Sequence, residues 1–107
     1  MISRHWKGIA RPGRADDYVR HLESETLPQL KRLPGFVDLS ILRREVDAGT
    51  EFQIVTRWTS LEAIEAFSGK DVNVAVVPPS VRELMVSYDA EVVHYEVVPR
   101  AEATPPM

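Results

Sequence analysis

The chain is 107 residues long, 44% hydrophobic and 27% charged, with a net charge of −3 and no cysteine, which fits one folding unit around one core. The acidic balance, with no cluster of Lys and Arg interleaved with aromatics, argues against a nucleic-acid surface. The lack of cysteine excludes disulfides, thiolate nucleophiles, iron–sulfur ligation and thiolate-held zinc, and no apolar stretch nears the roughly 18–20 residues of a membrane span.

In chain order, Ile2 to Ala10 alternates as a strand, with Arg4, Trp6 and Gly8 on one face and Ser3, His5, Lys7 and Ile9 on the other. Pro12-Gly13 ends it. Ala15 to about Leu33 carries a helical stripe of Tyr18, Val19, Leu22, Leu27, Leu30 and Leu33, and Pro28, which has no N–H to donate, predicts a kink or a split. After Leu33-Pro34-Gly35, the segments Phe36 to Glu45 and Glu51 to Trp58 read as strands joined at the turn residues Asp47-Ala48-Gly49 into a hairpin. Thr59 followed by Glu62 predicts a capping box for a helix with Leu61, Ala63, Ile64 and Phe67 on its buried face, ending at Gly69.

From Lys70 to Tyr88 the periodicity breaks, and this stretch is the expected wall of a pocket. Val72 to Val77 reads as one helical turn; Ser80 with Glu83 predicts a second capping box and a short helix through Leu84, Met85 and Tyr88. Asp89 to Val98 reads as a last strand. Residues 99–107, "PRAEATPPM", have the composition of a flexible tail, so residues 1–98 are expected to form the single domain. His5, Trp6 and Lys7 stand where a signal peptide would hold its apolar segment, and a soluble, cytoplasmic protein is expected.

The resulting order, β-α-β-β-α-β, is that of an α+β ferredoxin-like fold: a four-stranded antiparallel sheet, its first strand between the third and fourth, with helices on one face. Ile41-Leu42, Ile54-Val55, Val92-Val93 and Val97-Val98 put apolar groups on both faces. Helices cover only one, so a second copy of the sheet is expected on the other, making a homodimer.

Arg4, Trp6 and Gly8 in the first strand, Pro34-Gly35-Phe36 entering the second, Trp58, Ser60, Glu62, Ala63 and Phe67 across the third strand and its helix, and His94-Tyr95-Glu96-Val97 in the last resemble the antibiotic biosynthesis monooxygenase family. That resemblance implies a dimeric α+β barrel and a cofactor-independent monooxygenase acting on a small aromatic or enolisable substrate in an apolar pocket. Haem-degrading relatives use an Asn, a Trp in the second helix and a His in the segment after it. Here Phe67 stands at the Trp position, Val76-Val77-Pro78 holds no His, and Asn73 lies outside the first strand, so haem would need another ligand, for which His94 is the candidate.

His94, among apolar neighbours beside the strand of Arg4 and Trp6, is the expected catalytic base, oriented by Glu96 if the two share a face. The competing expectation is a sheet histidine satisfied by its neighbours. Arg4, Trp6, Trp58, Asn73 and Tyr88 are the substrate-binding candidates. Arg4 needs a carboxylate or an anionic ligand if buried, and the two tryptophans serve equally well as core. Gly8 is expected to leave room for a ligand beside Trp6. His5 is expected at the dimer contact and His21 on an exposed helix face. Three scattered histidines predict no metal site, and the missing Walker A, dinucleotide and nucleophile-elbow motifs predict no cofactor. The rival expectation is a non-catalytic dimer that binds a small apolar ligand or only packs its core, with neither nucleic acid nor membrane as partner.

Overall fold

A computed structural model describes residues 1–99. The tail expected over residues 99–107 lies outside the described residues except for Pro99. Strand β1 (Ile2–Ala10) runs through the middle of the sheet. It pairs antiparallel with β3 (Gly49–Trp58) along its whole length, from Ile2 opposite Trp58 to Ala10 opposite Thr50. Strand β2 (Phe36–Val46) takes the far side of β3. The expected central place of the first strand therefore holds, and the sheet is ferredoxin-like.

The position expected for one last strand is shared by two short ones. β4 (Met85–Tyr88) pairs with Gly8 to Ala10, and β5 (Val93–Glu96) pairs with Ile2 to His5, both along the same edge of β1. This corrects two sequence readings. Met85 to Tyr88 is strand, not helix, and only Val93–Glu96 of the longer expected strand is paired in the sheet. The free edge of β1 needs backbone partners, and that demand outweighs the local capping pattern at Ser80. Helix α4 is consequently only Pro79–Arg82, with Pro78 and not Ser80 before it. The helical turn expected at Val72 to Val77 is replaced by extended pairing: Val92 N–H donates to Asn73 O (2.8 Å) and Ala75 N–H to Ala90 O (2.9 Å).

Helices α1 (Ala15–His21) and α2 (Leu27–Lys31) are joined end to end by a π-helical turn, Leu22–Thr26. Pro28 is the physical cause offered by the sequence: it cannot donate to the carbonyl four residues back. The chain widens just before it, with Leu27 N–H reaching back five residues to Leu22 O. Helix α3 (Leu61–Ser68) starts one residue later than the expected cap. Ser60 is the N-cap, its Oγ accepting from Ala63 N–H at 3.2 Å, while Thr59 N–H donates to Gly35 O (2.8 Å) and stays with the strand connection. Ile64 is the buried residue of α3, whereas Leu61, expected beside it, is exposed. No helix of the described residues is long and apolar enough to cross a membrane.

Two apolar clusters lie between the sheet and the helices. One gathers Tyr18, Leu22, Phe52, Ile54, Val81 and Leu84; the other centres on Leu30, Trp58 and Ile64, flanked by Phe36 and Phe67. Among the described residues, the opposite face of the sheet carries no helix. There His5 Nδ1 accepts from Gln53 Nε2 (3.0 Å), which leaves the ring's Nε2–H to donate to Ser3 Oγ (2.9 Å). Leu42, Val93 and Tyr95 stand 52%, 54% and 55% exposed, with the Tyr95 ring edge-on to His5 at 4.8 Å.

Candidate functional site

A cleft with about 70 Å³ of interior void, widening to an open mouth, separates the two clusters. Its floor is the helix-facing side of β1 and β3, with Arg4, Trp6, Ile54 and Thr56; its roof is the α1–π–α2 segment, with Tyr18, His21, Leu22 and Thr26; Phe67 and Val76 close its sides. Most of this lining is apolar, the usual character of a small-molecule site.

Strict alternation along β1 sends Arg4 into this cavity. The residue is 4% exposed. One Nη donates to Val72 O (2.5 Å) and lies 3.2 Å from His94 Nε2; the other donates to Val74 O (2.9 Å). The guanidinium carbon is 5.8 Å from the centre of the Phe67 ring. Burial lowers the Arg4 pKa to about 10, so the group is still a cation at neutral pH. No carboxylate pairs with it among the described residues, so no structural ion pair offsets its burial.

Trp6 also lines the cavity, its Nε1–H fixed on Asp89 O at 2.8 Å. The indole lies over Gly8: a Cβ there would meet its Cη2 at 2.5 Å. The space expected for a ligand at Gly8 is thus filled by the neighbouring ring, and Gly8 is needed for that packing.

The other sequence candidates lie away from the cavity. Trp58 is fully buried between Phe36 (5.4 Å) and Phe67 (6.1 Å), with Nε1–H donating to Thr56 Oγ1 at 2.9 Å. Asn73 is exposed, and the hydrogen bonds it makes among the described residues use its main chain. Tyr88 lines a separate shallow depression with Lys7, Gly8 and Ser87. His94 sits opposite Arg4 in the sheet and touches it, but Arg4 lines the cavity and His94 does not. Glu96 makes no hydrogen bond to His94 among the described residues, so it does not orient the ring. Among the described residues no three His, Cys, Asp or Glu side chains converge.

Two residues that the sequence reading left out stand at the site. His21, expected to be exposed, is half-buried and lines the cavity. Tyr18, read only as part of the apolar stripe, is 3% exposed, and its pKa is pushed far up by burial. Its hydroxyl has no protein partner among the described residues and is not sealed from solvent, and the residue lines the cavity. The signal was present in the spacing: His21 and Leu22 follow Tyr18 by three and four positions, one helical face.

The pKa of His94 is lowered from 6.5, first by burial and then by the charges of Arg4 and His5. Burial lowers that of His5 as well. The unfolded chain therefore takes up these protons before the folded one does, and stability, complete above about pH 6.5, falls as the pH drops below it. Urea midpoints at pH 7.5 and 5.0 should show this fall, and His94→Gln should make it smaller. An equal fall in wild type and variant would contradict the reading.

The family model for antibiotic biosynthesis monooxygenases matches residues 1–76. No curated protein matches the chain. Among solved structures, a Bacillus cereus protein described as a candidate member of that class is 21% identical, covers 98% of each chain and superposes with a TM-score of 0.68. SnoaB of Streptomyces nogalater, a cofactor-independent oxygenase, is 16% identical over 92% of this chain and 94% of its own, with a TM-score of 0.62. A variant of MhuD with two manganese protoporphyrins in each active site is 18% identical over 96% of this chain and 100% of its own, with a TM-score of 0.60. At such identities the structural likeness speaks for the fold, while the family match covers most of the sequence, and the chain belongs to the antibiotic biosynthesis monooxygenase family.

Proposed function

We propose that the chain is a cofactor-independent monooxygenase acting on a small aromatic or enolisable compound held between sheet and helices. The observation that carries this reading is a half-buried imidazole, His21, in an otherwise largely apolar cavity that Tyr18 also lines. Imidazole is the most frequent general base in enzymes. His21 takes the proton from a phenol or an activated C–H, and the resulting carbanion or enolate supplies the electrons that reduce O₂. A C–O bond forms, and loss of water from the hydroperoxide leaves a carbonyl in the product. Apolar walls hold the reactants together and exclude water. SnoaB, named as a cofactor-independent oxygenase, supports this class of reaction.

His94, the base expected from sequence, has in this reading a positioning role: it braces Arg4. The same contact weakens the haem alternative, because Nε2 already accepts from Arg4 and the ring stands off the cavity. The helix-free sheet face, with Leu42, Val93 and Tyr95 exposed, supports the homodimer. Sedimentation at low micromolar concentration should give twice 12.1 kDa, and a compact monomer would count against it. The absence of cysteine fits a reducing cytoplasm.

The test is oxygen uptake with a dihydroxynaphthalene in the presence of a chelator. Wild type should consume O₂, and His21→Gln should lower kcat by about 10²- to 10⁴-fold at little cost in binding. No uptake, or an unchanged kcat in the variant, would overturn the proposal.

A further inference from the structure

Arg4 holds the buried charge that nothing in the described structure neutralises. A guanidinium has five N–H donors, and three contacts are accounted for: Val72 O, Val74 O and His94 Nε2. Both carbonyls are neutral dipoles. His94 is neutral when it accepts from Arg4, and the lining of the cavity holds no carboxylate among the described residues. Arg4 Nε makes no hydrogen bond among the described residues, yet no buried side-chain nitrogen is sealed off without a partner. That nitrogen is therefore open, on a residue that lines the cavity.

An interior cation without a counter-charge costs several kcal/mol, and the chain retains it where an apolar ligand would enter. The Phe67 ring, which lies under the guanidinium and is stacked on Trp58, is one of the apolar walls that an aromatic ligand would meet. Both Nη atoms are tied to the Val72–Val74 backbone, which leaves Nε unpartnered.

We infer that the cavity takes its aromatic ligand as a carboxylate, seated on the free N–H side of Arg4. This deepens the proposed function and rests on the cavity being the substrate site; it does not rest on oxygen chemistry. Charge-assisted hydrogen bonds of this kind are the strong ones. The ion would also fix which edge of the substrate faces His21 and Tyr18.

Calorimetric titration without oxygen turnover separates the possibilities. 2-Naphthoate and neutral 2-naphthylmethanol have nearly the same shape. The wild-type chain should bind naphthoate about 10- to 100-fold more tightly. Arg4→Gln should erase that preference while leaving affinity for the alcohol within about twofold, and Arg4→Lys, which keeps the charge and loses the planar fork, should retain a weakened preference. Equal affinities in wild type, or a preference surviving in Arg4→Gln, would overturn the inference. Should Arg4→Gln fail to fold, the wild-type comparison and Arg4→Lys decide alone. An anion preference without any O₂ uptake would sink the monooxygenase reading and leave this one standing; tight binding of the alcohol alone would do the reverse, and binding of neither probe would sink both.

Discussion

Replacing Trp58 by Ala should cost about 3–5 kcal/mol of stability, measured as a lower urea midpoint at an unchanged slope. The side chain is fully buried. It fills the space between Phe36 and Phe67 and gives its only donor to Thr56 Oγ1. Rigid strands hold its position: Trp58 is paired with Ile2 on one side and with Phe36 on the other, so neighbouring backbone cannot collapse into the void. The effect should reach the cavity too. Phe67, stacked on Trp58, lines that cavity and lies 5.8 Å from the Arg4 guanidinium, and without its support the ring is free to tilt. A loss below about 1 kcal/mol, which is typical of ordinary substitutions, would show that Trp58 does not hold the second cluster together.

What could be read in the sequence was set by local chemistry. The alternation in Ile2 to Ala10 placed Arg4 and Trp6 on one face and His5 on the other, as found, because a strand's side-chain period leaves no freedom. The hairpin was equally legible: Gly49, at φ +150°, adopts a conformation that other residues avoid, and a Cβ there would collide with the carbonyl of Ala10.

What failed was decided over long distances. Ser80 and Glu83 carry a plausible capping pattern, but the unpaired edge of β1 claims Met85 to Tyr88 as strand. Thr59 and Ser60 are adjacent hydroxyls, and the contact from Thr59 N–H to Gly35 O selects the second as cap. His21 was missed because charged neighbours suggested solvent, whereas the sheet below determines which edge of the helix is covered. His94 is the best base on chemistry alone; only the pairing of β5 with β1 shows that its ring is taken up by Arg4.

The most direct test of the cavity as the working site is to block its entrance. Val76 lines the cavity and is 43% exposed, which puts it at the mouth, where a larger side chain lies over the opening without disturbing either cluster. Val76→Trp should change stability by no more than about 0.5 kcal/mol, as for other surface positions. It should also weaken binding of an aromatic probe about 100-fold or more, since a closed cleft has no room for the ring. Titration of wild type and Val76→Trp with 2-naphthoate, beside a urea curve for each, measures both. Lost binding in a chain of normal stability is the predicted result; undiminished binding would show that the ligand sits elsewhere.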